Sequence, residues 1–428
     1  MNPIPHGPHL HDAHLLAWLI AGAAVSGVLF RPWRVSEAAW AALGAVAMIG
    51  ASLISPADAL GAIRDGTDVY LFLTGMMLLA ELARREGLFE WTAALAVRCA
   101  RGSAQRLFLL IYVVGIVVTV LLSNDATAVV LTPAVHAAAK RAGAPPLPYL
   151  FICAFIANAA SFVLPISNPA NLVVYGTALP PLGRWVAQFA AASAAAILAT
   201  FALLRWLQRD KLRAPIIAHI ELPPLGNGGR VAAAGIGATV ALLAASSALG
   251  RPLGAPTFVA GAGAWLAILA ARRAPPWAAL KSVSWSVLPL VAALFILVRA
   301  VENTGALAPL AWLLRERAGA PSPLFGAAAG TAAAFGSNVI NNLPMGLIAA
   351  KLLASGHASP RIAGALLIGV DLGPNLAITG SLATILWLVV LRREGVAMSG
   401  RRFLALGAVV MPLSLAAALG CYLAFGHV

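Results

Sequence analysis

Charge is scarce in this chain, and negative charge most of all. Only 10% of its 428 residues are charged, with 15 carboxylates against 29 Lys and Arg. A soluble chain of this length carries roughly a quarter charged residues, so the shortage excludes an ordinary globular domain. Cysteine is scarcer still. Cys99, Cys153 and Cys421 lie far apart, and that spacing carries neither a disulfide framework nor a thiolate metal cluster. No cofactor motif accompanies them. The first 13 residues hold His and Pro but no Lys or Arg, unlike the basic start of a secretory signal peptide. They read as a short N-terminal tail.

What the chain has instead is apolar length, 61% of it hydrophobic. Apolar runs of roughly 17–25 residues are what a bilayer-spanning helix needs. About ten stretches read this way, among them 14–30, 37–54, 69–82, 185–206 and 403–423. Many are rich in Ala, Gly and Val, which lets helices pack closely in lipid and suits a bundle. The net charge of +14 would suggest nucleic acid in a soluble protein. Here it reads as loop charge that sets topology, and no nucleic-acid partner is expected.

The sequence repeats at an offset of about 218. Asn124-Asp125 lies against Asn341-Asn342, Glu81-x5-Gly87 against Arg299-x5-Gly305, and the span opening near Trp185 against the one near Phe403. Each half reads as three spans, a hairpin, an interrupted span and a last span. The halves are 14–207 and 231–428, joined by a cytoplasmic linker at 208–230. A re-entrant hairpin makes each half cross five times, so the second half starts from the opposite side. The predicted fold is an all-α polytopic membrane protein of two inverted repeats. It has about ten transmembrane helices, two re-entrant hairpins and two interrupted helices. With the N-terminus outside, most basic residues fall in cytoplasmic loops, among them Arg31, Arg34, Arg84, Arg85, Arg98, Arg101, Arg205, Arg209, Lys211 and Arg213. That bias predicts both termini periplasmic, in a bacterial inner membrane.

Four polar breaks interrupt apolar helix. They are Ser123-Asn124-Asp125, Ser167-Asn168-Pro169, Asn341-Asn342-Leu343-Pro344, and Asp371-Leu372-Gly373-Pro374. Unwound backbone survives in a membrane only where protein buries it or where it lines a wet cavity. Pro after Asn or Gly suits the first turn of a new helix, and such half-helix N-termini bring N–H donors and partial positive charge to mid-membrane. Transporters built from inverted repeats hold substrate there. The candidate substrate-binding residues are Asn124, Asn168, Asn171, Asn338, Asn341, Asn342 and Asn375. Ser123, Ser167, Pro169, Pro344, Gly373 and Pro374 shape the breaks. Asp125 and Asp371 are intramembrane acids, functional candidates by default. Burial and nearby helix N-termini pull the protonation of such an acid in opposite directions, the balance a proton-coupled carrier needs. Glu81 and the Arg299–Glu302 spacing read as local ion pairs.

At these residues the sequence resembles a family. Asp371-Leu-Gly-Pro-Asn375 followed by Gly380-Ser-Leu-Ala-Thr-Ile-Leu-Trp387 is similar to the signature of the ArsB arsenite efflux permeases, in the ion transporter superfamily. Asn341-Asn342-Leu-Pro344, Asn124-Asp125 with Thr132-Pro133, and Ser167-Asn168 with Asn171 resemble its other motifs. The resemblance covers most of the chain. It implies efflux of arsenite and antimonite in exchange for protons, with an optional soluble arsenical-pump ATPase as partner. Many members are described with twelve spans, against ten plus two hairpins here.

The chemistry agrees. Arsenite near neutral pH is mostly the uncharged triol As(OH)3, and a carboxamide offers it both donor and acceptor. No basic residue falls at a break, which weighs against a di- or tricarboxylate. Helix dipoles alone can hold carboxylates, however, so a sodium-coupled carboxylate transporter or sodium/proton antiporter stays as the alternative. A passive channel for small neutral solutes comes behind these. The breaks carry no Ser/His or metal-ligand constellation, so an enzyme is not expected.

Overall fold

The computed structural model describes residues 8–272, 280–318, 322–356 and 359–426. Residues 1–7 of the expected tail and Arg273 in a loop read as cytoplasmic lie outside that range. The described chain is helical, with one isolated bridge between Ser103 and Pro215. In the first half come α1 (Pro8–Phe30), α2 (Glu37–Gly50), α3 (Pro56–Asp65), α4 (Thr67–Arg85) and α5 (Leu88–Ala100). A hairpin of α6 (Ala104–Leu121) and α7 (124–141) follows, then α8 (Leu147–Ala159), α9 (Pro169–Tyr175) and α10 (Leu182–Gln208). The second half runs α11 (Asn227–Ala248), α12 (Gly254–Arg272), α13 (Val287–Asn303) and α14 (Ala308–Ala318). It continues with the hairpin of α15 (Pro323–Ile340) and α16 (Asn342–Gly356), then α17 (Pro360–Leu372), α18 (Leu382–Arg393) and α19 (Gly400–Phe425).

Five helices among the described residues are long and apolar enough to cross a membrane, and up to seven if two bent pairs count as spans. The five lie in α1, α6, α10, α11 and α19, and the bent pairs are α3–α4 (49°) and α13–α14 (78°). α2, α8, α12 and α16 are shorter apolar helices. The stretches read as interrupted spans are each split in two, as α8–α9 and α17–α18.

Packing repeats along with element order. α4 packs on α12 and α13 on α2; α6 packs on α8 and α15 on α17; α7 packs on α18 and α16 on α9. Each pair becomes the other when the halves are exchanged, and α10 packs on its own counterpart α19. Small residues make the closest of these contacts. A Cβ on Gly75 would overlap the Thr257 carbonyl between α4 and α12, and one on Gly369 would overlap the Gly330 carbonyl between α17 and α15. Backbone-to-backbone approach of this kind is how helices associate where burial from water gives no drive.

The segment between the third span and the first hairpin is helix rather than loop. α5 buries Phe89, Ala93, Val97 and Ala100, a helical spacing too short to read as a span. The linker is docked as well. Leu212, Ile216 and Ile220 are buried, the Ile216 N–H donates to the Gly102 carbonyl (3.0 Å), and the Ile217 N–H donates to the Ala142 carbonyl (2.9 Å). These bonds pin the linker to the base of the first hairpin.

Candidate functional site

The first hairpin turns where a serine caps a new helix. Ser123 Oγ accepts from the Ala126 N–H (3.2 Å), and Asn124 Oδ1 accepts from the Asp125 N–H (2.9 Å). Thr119 and Thr127 join the two arms through their hydroxyls (2.8 Å). α7 then winds as a π-helix over Thr127–Leu131, a deformation common at functional sites. In the interrupted stretch alongside, Asn168 Oδ1 caps α9 by accepting from the Ala170 N–H (3.0 Å), with Pro169 in the first turn. Asn171 donates to the carbonyls of Ser161 (2.8 Å) and Leu164 (3.2 Å). Ser167 Oγ donates to the Val120 carbonyl (3.3 Å). The break and the hairpin tip therefore meet.

The second half meets in the same way through other side chains. Asn338 Nδ2 donates to the carbonyls of Ala334 (2.8 Å) and Gly373 (2.9 Å), and its Oδ1 accepts from the Ala377 N–H (3.1 Å). Asn341 holds φ 77 and ψ 154, a conformation rarely adopted outside glycine. It donates to the Thr379 carbonyl (3.2 Å) and accepts from the Leu343 N–H (3.4 Å). The new half-helix does not start at Gly373-Pro374, as their sequence suggests. Those residues form a 3-10 turn with Asn375, a second such turn follows at Ile378–Gly380, and α18 starts at Leu382. Its cap is Ser381 in a reciprocal box. Ser381 Oγ accepts from the Thr384 N–H (3.1 Å), and Thr384 Oγ1 accepts from the Ser381 N–H (3.3 Å). The unwound stretch is longer because Asn338 and Asn341 satisfy its backbone from the side.

The two interruptions join at the centre. Asn158 Nδ2 donates to Asn375 Oδ1 (3.0 Å), and Asn375 Nδ2 donates to the Phe155 carbonyl (3.1 Å). Asn158 and Asn375 lie one in each half, so the two interrupted stretches hold each other directly. Beside them Asn168 Nδ2 donates to Asp371 Oδ1 (2.8 Å) and Ser161 Oγ (3.4 Å). Asp371 Oδ2 is buried with no hydrogen-bond partner among the described residues. Asp371, Asn158 and Asn375 are each 0% exposed, and Asn168 is 1% exposed. Asp371 and Asn158 occupy the same place in α17 and α8, next to last in each, so the acid of the second half is matched by an amide in the first.

Two large cavities flank this centre. The first, about 690 Å³, is lined by Ser123, Asp125 and Pro169 at its deep end, with Phe72, Leu73 and Met76 of α4 opposite. The N-termini of α7 and α9 therefore open into one space. Its mouth carries Glu81, Arg84, Lys281, Arg393 and Glu394. Glu81 is held by Arg84 (2.6 Å), Arg85 (2.7 Å) and Ser282, and Glu394 by His136 (2.9 Å). The second cavity, about 570 Å³, is lined by Asp65, Tyr175, Gln188, Arg299 and Lys351. Arg299 pairs with Asp65 (2.6 Å) and Glu302 (3.3 Å), and Lys351 with Glu302 (3.1 Å). The expected Arg299–Glu302 pair is part of that network.

Exchange of the halves maps the deep end of the first cavity onto Leu290, Val291 and Leu294 opposite Asn341, Leu343, Pro344 and Leu382. There the gap is about 20 Å³. The equivalent deep ends are open in one half and shut in the other, while the second cavity repeats the outer part of the first through Phe295, Val298, Arg299 and Leu347. Of the expected site residues, Ser123, Asp125 and Pro169 line open space, and Asn341 and Pro344 line the shut gap. Asn158–Asn375 and Asn168–Asp371 seal the centre. Asn124 and Asn171 bond local backbone, Asn338 bonds the second unwound stretch from α15, Ser167, Gly373 and Pro374 sit in the unwound stretches, and Asn342 is buried at the start of α16. The thiols stand apart: Cys99 is exposed on α5, Cys153 buried in α8, Cys421 partly buried in α19. Sequence reasoning missed the Thr119–Thr127 bridge and the Thr384 half of the cap. Thr384, three residues after Ser381, was the available signal.

Residues 24–370 match the CitMHS citrate transporter family. An uncharacterized transporter of Mycobacterium tuberculosis is 28% identical over 402 residues, spanning 89% of this chain and 92% of that one. The arsenical pump membrane protein of Escherichia coli K12 is 27% identical over 421 residues, spanning 92% and 95%. The same overall fold occurs in the YdaH transporter of Alcanivorax borkumensis, with a TM-score of 0.55, 16% identity and 97% of each chain covered. It occurs also in MtrF of Neisseria gonorrhoeae, with a TM-score of 0.54, 13% identity and 99% and 95% covered.

Proposed function

Since this chain belongs to the citrate transporter family, and so is a multi-pass membrane transporter, we propose that it extrudes arsenite and antimonite in exchange for protons. The carrying observation is the open-and-shut pair. The cavity at the first hairpin tip, about 690 Å³, reaches Ser123 and Asp125, whereas its equivalent in the second half, about 570 Å³, stops short of Asn341 and Pro344, which line a separate gap of about 20 Å³. Two inverted halves in unlike states give a site open to one side only, and exchange of those states opens it to the other. The open cavity carries Arg84, Lys281 and Arg393, loop cations that the positive-inside rule puts in the cytoplasm. The state is therefore inward-facing, in a bacterial inner membrane, with periplasmic termini and repeats at 14–207 and 231–428.

At the deep end the substrate meets Ser123, the Asp125 carboxylate and the N-termini of α7 and α9, with no basic side chain among them. That set suits a neutral triol, which takes a hydrogen bond from the Ser123 hydroxyl and gives its own to the carboxylate, beside the partial positive charge of the two helix ends. The resemblance to arsenical pump membrane proteins over most of the chain supports the same substrate. Asp125 and Asp371 take and release the proton: Asp125 faces the cavity, and Asp371 lies behind Asn168, whose neighbour Pro169 forms the cavity wall. A soluble ATPase is not required in this cycle, since the proton gradient supplies the work.

A second reading has its own support. The family is described by citrate, and the three cations at the mouth could gather an anion. Uptake into everted vesicles separates the two. Arsenite accumulation driven by a pH gradient without sodium supports the first reading. Sodium-dependent citrate transport with no arsenite accumulation would overturn it.

A further inference from the structure

We propose that Arg98, Arg101 and Arg106 form a binding site for the phosphate of an anionic phospholipid at the root of the first hairpin. A concavity of about 450 Å³ is lined by Leu95, Arg98, Cys99, Arg101 and Arg106. Three guanidinium groups converge on it and no carboxylate lines it. None of the ion pairs among the described residues involves these arginines. Guanidinium clusters recognise phosphate oxygens through paired N–H donors.

The position selects lipid over soluble phosphate. Arg106 stands in the first turn of α6, and apolar residues follow it directly from Leu107. The cluster therefore lies where hydrocarbon gives way to headgroups. Below Arg106 on the same helix face come Leu109, Val113 and Val117, at spacings of three and four residues, exposed by 46%, 45% and 49%. An acyl chain laid along that stripe puts its phosphate at the three arginines.

The loop is also a mechanical junction. Arg101 holds φ 48, in the left-handed region, at the end of α5. The next residue, Gly102, accepts the linker bond from Ile216. A lipid bound here ties hairpin, linker and membrane surface together.

The test uses the full-length protein purified in detergent, with lipid retention read by native mass spectrometry. The wild type should retain phosphatidylglycerol in strong preference to phosphatidylcholine. A cation near an anionic surface contributes about 1 kcal/mol, or about fivefold in affinity, so the R98Q/R101Q/R106Q triple variant should lose about a hundredfold. The triple Arg→Lys variant should keep most of the preference, and R401Q/R402Q, on another basic segment, should keep all of it. Equal retention of the two lipids by the wild type would overturn the proposal, as would unchanged preference in the folded Gln triple variant. Complete displacement of phosphatidylglycerol by millimolar inorganic phosphate would overturn the lipid assignment.

Discussion

Replacing Asp371 with asparagine tests the coupling reading most directly. The side chain is nearly isosteric, so Oδ1 can still accept from Asn168 Nδ2, a 2.8 Å bond in the native protein. The change falls on Oδ2, which has no partner among the described residues. An amide there introduces a donor without a paired acceptor, which costs about 1–3 kcal/mol and leaves a folded protein. Coupling should fail completely. A pH difference of one unit is worth about 1.36 kcal/mol per proton, or about tenfold accumulation for each proton exchanged. In everted vesicles energised by respiration, the wild type should concentrate arsenite by at least that factor. D371N should equilibrate it to a ratio of about one while still exchanging labelled for unlabelled arsenite across the membrane. Uphill accumulation by D371N at the wild-type level would refute the assignment. The companion D371A separates packing from protonation. It leaves Asn168 Nδ2 only its longer bond to Ser161 Oγ and opens a small void, so its melting temperature should fall below that of D371N.

Three further outcomes follow from the geometry. N158A and N375A should each lower stability by about 1–3 kcal/mol, because each strands a buried carboxamide of the other half. Thermal melting of the double variant should then fall short of the sum of the two losses. S381A removes the cap of α18 and should cost about 0.5–2 kcal/mol, with S381T retaining most of it; equal losses in both variants would count against the cap. G369A should fail to accumulate as folded protein, since a methyl there overlaps the Gly330 carbonyl. A similar change at Gly237, where a Cβ meets nothing within 4 Å, should be tolerated, as judged by size-exclusion profiles.

Much of this architecture was legible because the membrane restricts what backbone can do. Unwound residues in hydrocarbon need partners. Ser, Asn, Gly and Pro inside apolar runs therefore mark breaks whatever surrounds them, and Ser123 and Asn168 cap new helices as read. The end of the second break was misplaced. Gly373-Pro374 is locally a good helix start, but Asn338, from a helix some 35 residues earlier, bonds Gly373 and Ala377 and carries the unwound stretch on to Ser381. α5 was passed over because a helix that lies against the bundle needs only one apolar face, while a span is recognised by length.

By itself the sequence determined the class of protein and the places of the polar breaks, since hydrophobic length and capping chemistry are local properties. The tertiary structure decided which polar groups meet. Asn158 and Asn375, or Asn168 and Asp371, lie more than 200 residues apart, and only the packing of one half on the other brings them within bonding distance. It also decided which of two equivalent surfaces stands open. That asymmetry is a property of packing: two halves with the same order of elements pack in unlike ways at their deep ends.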